Sequence, residues 1–369
     1  MKNKIINYLY PFIAVLSGAL ISYYYFKSYE VYDLNFIDSF ILITLGIFFL
    51  TVIILMHILL HEFGHLVCGL LSGYSFNSFR IANIMLIKND NKISFKKLSI
   101  AGTAGQCLLS PPDLINKKIP YILYNLGGGL SNIVLSILFY ILHLNVLDKN
   151  ISMFFLFSSL IGIFFGLSNI IPMKTSLINN DGYNLLSIHN NEEAIFSFWI
   201  SLKANSELTN GKRLKDLPKQ WFYIPSVESC KNNIVSYLAV LYENYLMDLN
   251  DINKAKDTID YILNNISLIG IYESLLLVDK IYCCLISDDV DKAKSLLTKN
   301  LTTFMKSMKD FPSVIRTQYS ISLLLDNDIN KSEKIKSNFN KISSSYPYPG
   351  EIESELELIE IAYNKYLEK

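Results

Sequence analysis

The chain has 369 residues, 51% of them hydrophobic, and a mean hydropathy of +0.29; this is high for a soluble protein and leaves room for two or three domains. Its 33 basic and 33 acidic residues cancel, which argues against a general nucleic-acid binder, whose footprint would be basic. The five cysteines, Cys68, Cys107, Cys230, Cys283 and Cys284, show neither C-x-x-C spacing nor an even count, so they read as reduced, buried thiols rather than as a disulfide framework.

Met1-Lys2-Asn3-Lys4 leads into an apolar stretch from Ile5 to about Phe26, the length of a membrane helix. The cluster Tyr23-Tyr24-Tyr25-Phe26 suits a membrane interface and stands where a cleaved signal peptide would need small residues. Phe36 to Gly73 reads as a second, longer helix, with Gly73 placed to end it. From Tyr74 the character changes: Ser78 to Ile87 and Lys92 to Ile100 are rich in strand formers around Lys88-Asn89-Asp90-Asn91, which predicts a β-hairpin over about 76–101. Ala101 to Gln106 and Pro111-Pro112 read as a flexible re-entry to a third apolar segment, about Ile119 to Leu144, and a fourth runs from Ile151 to Ile171. Tyr74 to Lys118 carries seven basic residues, Arg80, Lys88, Lys92, Lys96, Lys97, Lys117 and Lys118, against one in each of the other two connectors. The excess of positive charge predicts a cytoplasmic location for this connector and for both termini.

Beyond Asp181 the apolar density falls. The stretch 191–228, with Asn210-Gly211-Lys212-Arg213 and Pro218, reads as a polar linker. Asp251-Ile252-Asn253-Lys254-Ala255, Asp289-Val290-Asp291-Lys292-Ala293 and Asp328-Ile329-Asn330-Lys331-Ser332 recur at nearly equal offsets, each after an apolar run. The period suits two antiparallel helices per unit, with the Asp capping a helix start, as in a tetratricopeptide-like α-solenoid over 229–369. The expected fold is mainly α: a membrane domain over 1–190 with about four transmembrane helices and a small hairpin, the linker 191–228, and a cytoplasmic helical-repeat domain.

Chemistry concentrates in His61-Glu62-Phe63-Gly64-His65, near the end of the second apolar segment. Histidines four residues apart project from one helix face and can share a metal ion, while Glu62 points about 100° away beside an open coordination position. His65 precedes Gly73 by about 12 Å of helix at about 1.5 Å per residue, inside the hydrocarbon but nearer the cytoplasmic side. An ionisable cluster at that depth is expensive and usually functional. Two histidines leave a catalytic metal one protein ligand short, and Asp181, after Asn169-Ile170-Ile171-Pro172 and before Gly182, is the best candidate. Gly127-Gly128-Gly129-Leu130-Ser131-Asn132 offers close helix contact and a buried amide. His57 and Cys68, each about one turn from the motif, read as supporting or packing residues.

In order and spacing these elements resemble the site-2 protease family of intramembrane zinc metalloproteases, which shows H-E-x-x-H on one core helix, Gly-x-x-x-Asn on the next and Asn-x-x-Pro followed by Asp-Gly on the third. Here they correspond to His61 to His65, to Gly128 with Asn132, and to Asn169, Pro172, Asp181 and Gly182. The resemblance covers roughly Leu50 to Tyr183, and the interval from Pro172 to Asp181 is longer than the family's compact form. It implies one Zn2+ bound by His61, His65 and Asp181, with Glu62 as general base. It also implies that Asn132 and Asn169 position or polarise the scissile carbonyl; on the residues alone each amide serves equally as an interhelical hydrogen bond. The implied substrate is a membrane-inserted or membrane-proximal peptide or protein. Such a helix must unwind before cleavage, and the predicted hairpin, through Ser78 to Ile87, is expected to hold it by edge pairing. The Lys, Asn and Ile bias suggests an AT-rich bacterial genome, hence a bacterial cell membrane. A rival reading is a catalytically silent metal-binding scaffold or receptor that uses the repeats to bind a partner protein.

Overall fold

The computed structural model describes residues 2–30, 34–89, 92–100, 103–173 and 179–368. The chain divides into two compact units. The first contains four helices, α1 (Lys2–Ser28), α2 (Phe36–Leu71), α3 (Tyr121–Asn145) and α4 (Lys149–Ile170), and the start of α5 (Asp181–Ile188). Three of them, α2, α3 and α4, are long and apolar enough to cross a membrane.

Local chemistry sets their ends. Asn35 caps α2 by accepting from Asp38 N, and Asp38 places negative charge in the first turn, where the helix dipole favours it. Gly73, at φ +85°, stops the helix in the left-handed conformation that its missing Cβ permits. Asp148 caps α4 through Ile151 N. Ile171 ends α4 in an extended conformation, as the residue before Pro172 must. The unit is held by close crossings of small residues, with α3 packed along both α2 and α4. A Cβ on Gly64 would overlap the Gly127 carbonyl, and one on Gly127 would overlap Gly64 and Cys68. Ser131 seals the crossing by donating to the Leu60 carbonyl at 2.9 Å. Outward side chains such as Phe48, Phe63, Val134 and Ile137 are exposed, as suits helices whose backbone polar groups are satisfied internally and whose surroundings are apolar.

The second unit joins a four-stranded antiparallel sheet to the remaining helices. The strands are β1 (Ser75–Ile81), β2 (Ile84–Asn89), β3 (Lys92–Lys97) and β4 (Gly105–Ser110), in the order β3-β2-β1-β4. The expected hairpin about residues 88–91 is present as the antiparallel pair β2 and β3, but the sheet is larger than the hairpin expected over 76–101. What reads as one strand from Ser78 to Ile87 is two, folded at Ala82 and Asn83, with Ala82 at φ +51°. Periodicity does not reveal that turn because it lacks glycine and proline. Residues 90–91 of the expected turn and 101–102 of the expected re-entry lie outside the described residues. Met85, Ile87 and Leu98 bury themselves among the helices of this unit, which is why the sheet groups with them.

The expected linker 191–228 also differs. Glu192–Thr209 forms α6, capped by Asn191 and burying Ala194, Ile195, Trp199, Ile200 and Leu202. Its Trp199 Nε1 donates to the Pro112 carbonyl at 2.9 Å and its Asn205 to Tyr348 Oη at 2.9 Å. Arg213 is buried too, donating through Nε and Nη2 to Asp248 and also pairing with Glu357. The polar residues that suggested a linker are a helix's outer face and a buried ion pair.

The remaining helices are α7 (Asn233–Asp248), α8 (Ile252–Asn265), α9 (Gly270–Ile286), α10 (Val290–Leu296), α11 (Lys299–Ser307), α12 (Pro312–Ser320), which continues into a π-turn at Ile321–Leu325, α13 (Ile329–Ser343) and α14 (Pro349–Leu367). The repeated Asp residues stand at the helix starts expected of them. Asp251 accepts from Lys254 N and Asp328 from Lys331 N. Each follows a left-handed residue, Asn250, Asp288 or Asn327, which turns the chain back on itself.

Candidate metal centre

His61 and His65 lie one turn apart on α2 with their Nε2 atoms 3.1 Å from each other. Asp181, the first residue of α5, places Oδ2 3.2 Å from each of them. Ligands about 2.0–2.1 Å from a tetrahedral ion stand about 3.3 Å apart, so the triangle is one face of such a tetrahedron to within about 0.2 Å. Among the described residues this is the group of His, Cys, Asp and Glu side chains close enough to share a metal ion.

Helix α3 orients both imidazoles. His65 Nδ1–H donates to the Tyr124 carbonyl at 2.8 Å, which leaves Nε2 with its lone pair facing the centre. The Asn132 amide, fully buried, lies between His61 Nδ1 at 3.4 Å and His57 Nδ1 at 3.1 Å. Its Nδ2 faces His61 and its Oδ1 faces His57, so the one amide bridges the two rings and fixes their positions. Gly128 passes directly beneath the rings: a Cβ on it would overlap His61 and the Nε2 of His65.

The loop before Asp181 is pinned at both ends by Asn180, which sequence reading passes over as a loop residue. Its Oδ1 accepts from Met173 N and from Tyr183 N, each at 2.9 Å, and its Nδ2 donates to the carbonyls of Ser168 and Ile171 at 2.7 and 2.6 Å. The residues between, 174–178, lie outside the described residues. Gly182 completes the junction, since any Cβ there would overlap the Ile170 carbonyl. Asx chemistry at a helix start was the available signal, Asn180 standing three residues before Tyr183.

In this arrangement Asp181 Oδ2 is shielded from solvent and receives no hydrogen bond. Three electron-pair donors at 3.1 to 3.2 Å repel one another unless a cation sits among them. The donor set therefore fits a divalent metal ion on chemistry as well as on distance.

Glu62 is buried at 9% exposure and is not one of the three converging groups. Asn169 donates to Phe165 in its own helix at 2.9 Å, while its backbone carbonyl borders Gly182. His57, buried between Phe139 and Phe165, lies outside the converging group and reaches His61 only through Asn132. Cys68 packs on Gly127. Comparison of the chain with protein-family models, with curated proteins and with solved structures returned no match.

Proposed function

We propose that this chain is an intramembrane zinc metalloendopeptidase similar to the site-2 protease family, acting on membrane-inserted or membrane-proximal peptides or proteins. The observation that carries this reading is the triangle of His61 Nε2, His65 Nε2 and Asp181 Oδ2, borne partly on a helix apolar enough to span a bilayer. Two imidazoles and a carboxylate with one open position suit catalytic Zn2+. When bound, zinc lowers the pKa of water and polarises a carbonyl as a Lewis acid. Glu62 then takes the proton from the attacking water and returns it to the leaving amine. Asn132 braces His61 against His57, and Asn180 with Gly182 holds Asp181 in place. A substrate helix unwinds to present its carbonyl at the open position, because its amides are otherwise hydrogen-bonded internally.

The reading extends to α1 as a fourth span, to a bacterial cell membrane with both termini cytoplasmic, and to the paired helices α7 to α14 as a helical-repeat domain that recruits a substrate or partner protein. The positive connector Tyr74 to Lys118 and the recurring Asp-capped helix starts support these assignments.

The test compares membranes from cells carrying wild-type or Glu62→Gln protein, by peptidomics and by zinc quantification. One zinc per chain in both, with peptides lost only in the variant, is the expected result. Identical peptide pools with zinc retained would leave a metal-binding scaffold instead, and a wild-type protein purified without metal would sink the zinc centre.

A further inference from the structure

The second unit encloses a cavity of about 270 Å³ between α7, α9, α12 and α14, walled also by α6 and β4. Nothing in the proposed proteolysis uses it. Five carboxylates line it, those of Glu243, Asp248, Asp279, Glu351 and Glu355, against one cationic side chain, Arg316. Asp248 is spoken for by Arg213. Arg316 pairs with Asp279, lies 3.0 Å from Glu355 Oε2 and stacks 4.4 Å over the Tyr282 ring, although its Nε and Nη1 and Glu355 Oε2 make no hydrogen bond. Glu351 accepts from Tyr346 Oη at 3.1 Å.

That leaves Glu243. It is fully buried, it lines the cavity, and neither of its carboxyl oxygens has a hydrogen-bond partner. A buried carboxyl without a donor is a costly thing to keep in a core, and native interiors rarely do so without reason. The rest of the wall is aromatic. Tyr237 and Tyr272 have ring centroids 5.3 Å apart, and Phe311 stands 6.4 Å from Tyr346.

We propose that this cavity is a binding site for an organic cation, a molecule or peptide terminus whose ammonium group sits on Glu243 and whose apolar body lies against the tyrosines and Phe311. An ammonium supplies the donors that Glu243 lacks, and aromatic faces attract a desolvated cation. The volume exceeds the roughly 150 Å³ that encloses a benzene ring, so an aromatic body with a short amine arm fits. An anionic ligand would meet the surplus carboxylates. A metal ion is disfavoured because these acids do not converge to metal-ligand distances, whereas His61, His65 and Asp181 do. Burial pushes the Glu243 carboxyl well above the ordinary carboxylate range, raises Glu351 to about 8 and raises Glu355 to about 7. A cation that settles on Glu243 favours its ionised form and so displaces a proton.

The test uses full-length protein in an uncharged detergent, with binding measured by calorimetry at neutral pH. The probes are phenethylammonium, its neutral counterpart 2-phenylethanol, and the dipeptide Phe-Ala-amide with a free or an acetylated N-terminus. Phenethylammonium or the free dipeptide should bind, with release of protons shown by runs in two buffers of different ionisation enthalpy. Binding of the first points to a free amine as the natural ligand, and binding of the dipeptide alone to a peptide terminus. The neutral or acetylated counterpart should bind at least tenfold more weakly. Glu243→Gln, which keeps the shape, should lose binding at least tenfold while its zinc content is unchanged. Equal binding of charged and neutral probes overturns the proposal on wild-type protein alone, and so does failure of both ammonium probes to bind at millimolar concentration. Undiminished binding by Glu243→Gln overturns it too.

Discussion

Asn132 lies in the core between His61 and His57 and lends its amide to both. If it acts through His61, Asn132→Leu should weaken zinc affinity by about 10- to 100-fold. If it acts on substrate alone, zinc affinity will not move and only kcat/KM will fall, so competition with a chelator of known affinity decides between the two. Glu62 predicts the opposite pattern. Glu62→Gln should retain the metal and lose about 10²- to 10⁴-fold in rate, measured on any peptide the wild type cleaves. Gly182→Ala tests the junction behind Asp181, because the added methyl must displace the Ile170 carbonyl. Its zinc affinity should fall towards that of Asp181→Ala, and a variant that binds zinc as wild type does would show that α5 has slack there. The histidine pair and Asp181 were legible because ligand chemistry restricts residue type and spacing. Asn180 was not, since a loop clamp leaves no pattern beyond one Asx residue before a helix.

Among the elements, those written in long apolar runs and in repeated caps were readable, and those written in tertiary burial were not. The segments ending at Gly73 and before Pro172 closed where left-handed glycine and proline demand. Helix α6 was missed because its buried stripe is interrupted by Ser and Asn. The hairpin of β2 and β3 was legible but the extra strands were not, because β1 and β2 meet at Ala82 and Asn83 without a glycine or proline and β4 falls in what reads as a re-entry. This revises the proposed grip on substrate. Both β1 and β2 are interior strands, so edge pairing through Ser78 to Ile87 is ruled out, and the outer strands of the sheet are β3 and β4. The repeat caps make a graded prediction. Asp251→Ala and Asp328→Ala should each lower stability by about 1 kcal/mol, since each side chain satisfies a backbone N–H. Asp289→Ala should cost less, because that side chain makes no cap hydrogen bond and instead pairs with Lys256 at the surface. Equal losses at all three positions, read from urea midpoints, would mean that the repeat and not the cap sets the energy.

At the scale of the whole molecule the candidate metal centre belongs to the first unit, and the buried carboxyls with raised pKa belong to the second. Glu351 and Glu355, on α14, face Asp279 and Asp248 across the cavity, with Arg316 beside Glu355 and Tyr346 beside Glu351. Burial is the main cause that raises their carboxyls, to about 8 and about 7 from an ordinary value of 4.5, and neighbouring acids add to it. Acids that hold protons more tightly when folded take up protons on folding, so their contribution is fully present below about pH 4.5 and is lost as pH rises through 7 and 8. Each group withdraws at most about 1.4 kcal/mol per pH unit over that window. Both tryptophans of the chain, Trp199 and Trp221, lie in the second unit, 5.2 Å apart. Their fluorescence therefore reports unfolding of this unit within the full-length protein, without cutting it. Urea midpoints followed this way in uncharged detergent should fall between pH 5 and pH 8. Glu351→Gln, which keeps the size and removes the titration, should flatten the upper part of that decline. A midpoint that stays level or climbs across the window would mean that these glutamates reach solvent or a compensating cation in the folded chain.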